Sequence, residues 1–293
     1  MGKASRRKKV VTSAARPAYR APIPFRERPF DGLPAEIQLV AMREFIPCAV
    51  LPARTTAEHG GVDVDIVTLL PDGHGAMVRG DGRILVGLQT RFHSGDLSHD
   101  AGGALAAAIA RKEAGEEGMV SVDVRDPAPR LQDLLDPAVA PDLQVREDFG
   151  YWFDPEAEVT PEMEQALERN RADVVPTRAV PGVEGMYWCE MNHTFIRYVT
   201  DYPESRLFTA LARLQLDGTA RIGEGSRFVG AFRACGLAIP VFQLEDGVGP
   251  DDVASDARAL ADGLEAVLGA DEPLTPELRR VRDGLVSRQV TIR

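Results

Sequence analysis

Residues able to do chemistry are sparse in this chain, and the densest group of them is basic. Lys3, Arg6, Arg7, Lys8 and Lys9 fall within seven positions. Cations so closely spaced neutralise phosphates and release their counterions, so the run points to RNA, a ribonucleoprotein or another nucleic acid. An unspecialised solubilising tail is the competing reading. An anionic membrane surface is a weaker third one, because no apolar face accompanies the cations and Arg6 stands where myristoylation behind Gly2 requires Ser or Thr.

A second group is Gly223-Glu224-Gly225-Ser226-Arg227. It follows a strand-like run and precedes an expected helix, a context in which backbone N–H groups can cradle a phosphate. The dinucleotide fingerprint is incomplete, since Phe228 stands where glycine is needed, and no Walker lysine followed by Ser or Thr occurs. Gly223, Gly225, Ser226 and Arg227 are therefore a small-anion candidate, with a plain tight turn as the alternative.

The histidines and cysteines form no complete set. His99-Asp100 is the kind of pair that metal-dependent phosphohydrolases use, yet no second histidine-rich segment supplies further ligands. A helix N-terminus with acidic residues favoured by the dipole is the expectation there. Cys189 and His193 bring two ligand types to a hairpin tip, but structural zinc takes four ligands and there is no CxxC knuckle. Cys189 reads as a buried strand residue and His193, like His59 and His74, as a turn or loop residue. No serine sits in a GxSxG elbow and no Cys-His-Asn order is present. The expectation is no metal, no cofactor and no assignable catalytic residue.

These candidates need elements to carry them. A loosely amphipathic helix begins at Leu33-Pro34, with Ile37, Val40, Met42 and Phe45, and stops at Pro47. Four strand-like runs follow at 48–54, 62–70, 75–79 and 83–89; the turns Pro71-Asp72-Gly73 and Gly80-Asp81-Gly82 predict an antiparallel sheet. Ser98 or Asp100 caps an alanine-rich helix to about residue 112, weakened by Gly102-Gly103. A short strand is expected over 119–124, and 126–154 reads as a connection. Thr160-Pro161 opens a helix, 186–191 and 194–200 form a hairpin around Asn192-His193, and a helix spans 204–216. A last helix starts at Thr275-Pro276.

The two halves echo one another faintly. Leu51-Pro52-Ala53-Arg54 resembles Val175-Pro176-Thr177-Arg178, and Leu85 to Gln89 before a helix resembles Ile239 to Gln243 before another. A diverged internal duplication and chance recurrence of strand–helix units are both open readings.

Charge divides the chain more sharply. The first 30 of its 293 residues hold nine cations against Glu27 alone, a net of +8; the whole chain is −11, so the remainder carries −19. An acidic body excludes general nucleic-acid binding over its surface, while the arm suits it. Pro17, Pro22, Pro24 and Pro29 break any helix in that arm, which is expected to be disordered. The N-terminus shows no apolar core of signal-peptide length and the chain no membrane-length apolar run. Three cysteines, an odd number without staple spacing, read as reduced thiols of a cytoplasmic protein.

The opening residues 1–9, the Pro-Phe-Arg-Glu-Arg-Pro-Phe run at 24–30, and Gly230-Ala231-Phe232-Arg233-Ala234 with Ile239-Pro240-Val241 resemble an uncharacterised bacterial family of unknown function. The likeness covers most of the chain. Some members carry a preprotein-translocase label through a short Cys/His-rich zinc motif that this sequence lacks, so the resemblance implies membership and carries over no functional residue.

The expected fold is α+β: a disordered basic arm over 1–30, then two mixed α/β subdomains over 31–155 and 156–293. The leading functional expectation is a non-enzymatic binding or adaptor protein, its arm on RNA or a ribonucleoprotein and its body on a protein partner. The alternative is an enzyme or sensor of a small anionic ligand in a cleft between the subdomains. A histidine and carboxylate constellation converging in one cleft would favour the alternative.

Overall fold

Residues 21–158 and 160–291 are described by the computed structural model, and they form an α+β fold built on two six-stranded sheets. The first helix, α1 (Glu36–Glu44), contacts both sheets. Its buried Leu39, Val40 and Met42 join a core that runs from Leu51, Ile66 and Val86 on one side to Tyr187, Leu237 and Ile239 on the other. Phe45, the residue that ends α1, sets its ring edge-on against Tyr187 at 5.7 Å and Phe232 at 6.2 Å. The interface between the halves is thus filled by apolar side chains.

The first sheet contains β1 (Ala49–Arg54), β2 (Asp63–Val67), β3 (Ala76–Val78), β4 (Ile84–Gly87), β5 (Gly118–Val120) and β6 (Gln144–Val145) in the order β5-β3-β4-β2-β1-β6. The expectation of an antiparallel sheet is corrected, because β2 and β4 are parallel. The 79–83 turn closes an ordinary hairpin between β3 and β4, whereas the turn at 71–73 carries the chain one strand position further out. β4 then returns into the gap beside β2. Strand alternation loads both faces with apolar residues: Leu51, Val64, Ile66, Ile84 and Val86 face the main core, and Val50, Val67, Met77 and Leu85 form a smaller one.

That smaller core is covered by Tyr151 and Trp152, whose hydroxyl and indole N–H both donate to Leu69 O, at 2.8 and 2.9 Å. The segment 126–154, expected as a bare connection, therefore supplies a lid to the sheet; it also contains α3 (Leu131–Leu134) and β6. The other face is crossed by α2 (Leu97–Glu113), whose N-cap is Asp96 rather than Ser98 or Asp100. Asp96 accepts from Ser98 N at 3.1 Å and His99 N at 3.3 Å, the usual chemistry of an Asp cap.

The second sheet contains β7 (Thr177–Ala179), β8 (Met186–Glu190), β9 (Thr194–Tyr198), β10 (Arg227–Ala234), β11 (Leu237–Gln243) and β12 (Gln289–Thr291) in the order β12-β10-β11-β9-β8-β7. It follows α4 (Pro161–Asp173) and carries α5 (Glu204–Leu216), α6 (Ala254–Leu268) and α7 (Pro276–Val286) over a core of Trp188, Ile196, Phe208, Leu211, Phe242 and Leu264. Thr160 and Thr275 cap α4 and α7 from their hydroxyls, each with proline at the first helical position.

Five strands of each sheet share one order, β1-β2-β4-β3-β5 beside β8-β9-β11-β10-β12. Their directions differ: β4 is parallel to β2, while β11 is antiparallel to β9. Leu51–Arg54 lies in an inner strand, whereas Thr177 and Arg178 lie in the edge strand β7, so that sequence echo has no common place in the two sheets.

Lys3, Arg6, Arg7, Lys8 and Lys9 lie outside the described residues. Residues 21–30 are described, and here the arm expected to run free to residue 30 is corrected. Phe30 is fully buried in the main core. Pro29 O accepts from Arg130 Nη2 at 2.6 Å and Gln132 Nε2 at 2.8 Å, and Arg28 forms a bidentate pair with Glu36, both bonds 2.6 Å. The proline-rich composition reports the absence of helix but not the anchoring of one aromatic side chain. Among the described residues, no helix is long and apolar enough to cross a membrane.

Candidate functional site

The glycine-rich turn at 223–227 leads into β10, not into a helix, so no helix N-terminus faces it. Ser226 Oγ accepts from Ile222 N at 2.7 Å and donates to Gly223 O at 3.1 Å, closing the turn on itself. Arg227 turns both Nε and Nη2 to Gln243 Oε1, at 3.3 and 2.9 Å. The Glu245 carboxylate packs against Gly225, and a cavity of about 520 Å³ beside Gly223 is lined by Glu224 and Asp256 as well as Arg221. The structure thus brings Gly223, Gly225, Ser226 and Arg227 together, but among carboxylates and without the dipole that would favour an anion.

His99 and Asp100 belong to a buried polar network at the start of α2. The ring Nδ1 lies 3.0 Å from Asp100 Oδ1 and Nε2 3.0 Å from Asp126 O, while the Asp100 carboxylate accepts from Ser94 N at 2.7 Å and Ser94 Oγ at 2.6 Å. Arg130 Nε donates to the buried Asp96 at 2.8 Å, and Ser98 Oγ donates to Gln132 Oε1 at 2.5 Å while accepting from Leu131 N. A cavity of about 330 Å³ adjoins His99 and Asp123, yet both ring nitrogens already face protein oxygens. Full internal satisfaction is what a buried polar group needs for stability. The network ties α2 to 130–132 and, through Pro29 O, to the root of the arm.

Cys189 is buried in β8 and His193 is exposed on the β8–β9 turn beside Asp246. Among the described residues, no group of three or more His, Cys, Asp or Glu is placed to hold a metal. All three cysteines are free. Burial pushes the Cys48 thiol up to about 12, with Asp148 adding to the rise, and Cys48 Sγ donates to Asp148 O at 2.8 Å. Burial raises Cys189 and Cys235 as well. The thiolate is the reactive form, so iodoacetamide at neutral pH should leave all three unmodified in the native protein and label three on unfolding in urea, as counted by mass spectrometry.

A different surface stands out by exposure. Phe25 is 77% and Phe92 76% exposed, the two highest values among the large apolar residues described as exposed. Arg26 N donates to Gly95 O at 2.8 Å, and Gly95 sits so close that a Cβ there would lie 2.8 Å from Phe25 Cα. Phe92 is held three residues earlier by Thr90 Oγ1 donating to Phe92 O at 2.9 Å and Arg91 N donating to Gly73 O at 3.2 Å. Beside this loop an open cavity of about 480 Å³ is lined by Arg43, Glu44, Gln89, Thr90 and Arg91. Arg43 Nε is buried without a hydrogen-bond partner among the described residues. The sequence assigns no chemistry to these residues, since phenylalanine reads as core; Phe25-Arg26 and Arg91-Phe92 each set an aromatic beside arginine, but so do Arg197-Tyr198, Arg227-Phe228 and Phe232-Arg233, so that pairing singles out no site.

A family model described as a family of unknown function, DUF5926, matches residues 29–293. The chain belongs to that family. The DUF5926 match begins at Pro29, whose carbonyl receives the Arg130 and Gln132 donors, and so takes in both sheets and leaves the basic run outside. No curated protein and no solved structure matches the chain.

Proposed function

We propose that this protein is a non-enzymatic binding or adaptor protein whose basic arm engages RNA or a ribonucleoprotein, its acidic body being left to a protein partner. The observation that carries the reading is the charge step. Residues 1–20 hold seven cations and no acid, so with the whole chain at −11 the rest carries −18. A body of that charge repels phosphate, which confines a nucleic-acid contact to the arm and its immediate surroundings. The anchoring of Pro29 and Phe30 supports this by fixing where the arm leaves the body. The closed His99–Asp100 network supports a binding protein over an enzyme, since its polar atoms are engaged with one another.

The test is RNA retention across a salt series, comparing the intact protein with one in which Arg6, Arg7, Lys8 and Lys9 are all alanine. The log–log salt slope should shrink by about three to four units for a duplex and by about three for a single strand. Sequence preference should be slight. Equal retention of both proteins at low salt would remove the arm from the interface.

A further inference from the structure

We infer that the folded body adds a single-stranded RNA platform beside the root of the arm, in which Phe25 and Phe92 stack bases and Arg43 and Arg91 receive phosphate. The inference rests on the RNA reading above and extends it from the arm to named residues of the body.

Phenylalanine rings three-quarters exposed cost solubility, and two of them on neighbouring backbone segments call for an occupant. The chain places them together: Phe25 packs its backbone on Gly95, and Phe92 is three residues from Gly95, so the two backbones lie within about 15 Å. The backbone beside each ring is pinned, by Arg26 N donating to Gly95 O and by Arg91 N donating to Gly73 O with Thr90 Oγ1 donating to Phe92 O, so little backbone ordering remains to be done when a base stacks.

Charge selects the occupant. Arg26 and Arg91 are the immediate sequence neighbours of the two rings, and Arg91 and Arg43 both line the 480 Å³ cavity, the Arg43 Nε being buried behind it without a hydrogen-bond partner among the described residues. Glu44 is the cavity's carboxylate, and it accepts from Cys235 Sγ at 3.6 Å. Arg91 meets Asp72 at 3.2 Å in a pair whose side chains are 64% and 76% exposed. So open a pair is held weakly and can exchange its carboxylate for a phosphate. Aromatic rings alternating with guanidinium groups match a strand whose bases and phosphates alternate, and only unpaired bases offer their faces to such rings. A duplex would meet the arm alone.

The experiment titrates the full chain with a single-stranded RNA carrying 2-aminopurine, with the same RNA annealed to its complement, and with vesicles containing phosphatidylserine. Wild type should bind the single strand more tightly than the duplex and quench the 2-aminopurine. Phe25→Ala/Phe92→Ala, both at exposed positions, should retain the native melting temperature and lose single-strand affinity by roughly tenfold or more. Its quench should vanish while its salt slope stays that of wild type, because no charge is removed. Arg91→Gln should lower the slope by about one unit. If the arm variant loses its salt slope while the double-Phe variant binds and quenches like wild type, the platform is overturned and the arm reading stands. If no form binds RNA, both fall. If the double-Phe variant changes vesicle binding and leaves RNA binding intact, the rings serve a membrane surface and the inference is wrong.

Discussion

Removing residues 1–30 should lower the stability of the remaining chain by at least about 3 kcal/mol, whereas a cut after residue 20 should leave the melting temperature unchanged. The longer deletion takes away Phe30, which is fully buried among Leu39, Ile66 and Leu131 in the main core. Deleting a buried phenylalanine ring typically costs 3–5 kcal/mol. It also removes Pro29 O, the acceptor for Arg130 Nη2 and Gln132 Nε2, and the Arg28 partner of the buried Glu36. Leaving buried polar groups unpaired adds to the loss. The shorter deletion keeps all of these contacts. Phe30→Ala in the intact chain isolates the packing contribution and should account for most of the difference, a fall in melting temperature of about 10 °C for a chain of this size. Thermal unfolding of the four proteins decides it: coincident curves for the 1–30 deletion and the intact chain would show that the segment is not part of the core.

The difference between what could and could not be read in the residues follows the range of the interactions involved. α5 runs over Glu204–Leu216, as its spacing of Leu207, Leu211 and Leu214 indicates, and α4 opens at the Thr160-Pro161 cap, because caps and periodicity are set within one or two turns. The hairpin of β8 and β9 is equally local. The parallel pairing of β2 with β4 is not, since nothing in Val64 or Val86 encodes which strand becomes the neighbour. A buried Phe30 and an exposed Phe25, five positions apart, look alike in sequence; only the packing of Gly95 against the backbone of one and of α1 and the sheet around the other separates them. The 223–227 turn shows the same limit from the other side. Its glycines correctly mark a tight turn, but whether a helix or a strand follows decides whether its N–H groups add to a dipole, and here the following residues pair with β11.

Gly102→Ala should destabilise the protein by about 1–3 kcal/mol or more, although alanine is the better helix former by about 1 kcal/mol. The Gly102-Gly103 pair reads in sequence as a weakness in the first turns of α2. In the structure it is the crossing point of residues 128–130: a Cβ on Gly102 would collide with Pro129 O and lie 2.8 Å from Arg130 C, and one on Gly103 would lie 2.9 Å from Ala128 Cβ. The crossing segment cannot retreat cheaply. Arg130 is held by Asp96 on one side and by Pro29 O on the other, and Leu131 N donates to Ser98 Oγ at 3.0 Å, so any shift that admits a methyl group stretches the network that anchors the arm root. Gly284 in α7 is the internal control, with no atom within 4 Å of an added Cβ. There the same substitution should stabilise by up to about 1 kcal/mol, as propensity alone dictates. Urea unfolding of the two variants should therefore give shifts of opposite sign. If Gly102→Ala is as stable as Gly284→Ala, the close crossing of α2 and residues 128–130 is not maintained in solution, and the fixed position of the arm root goes with it.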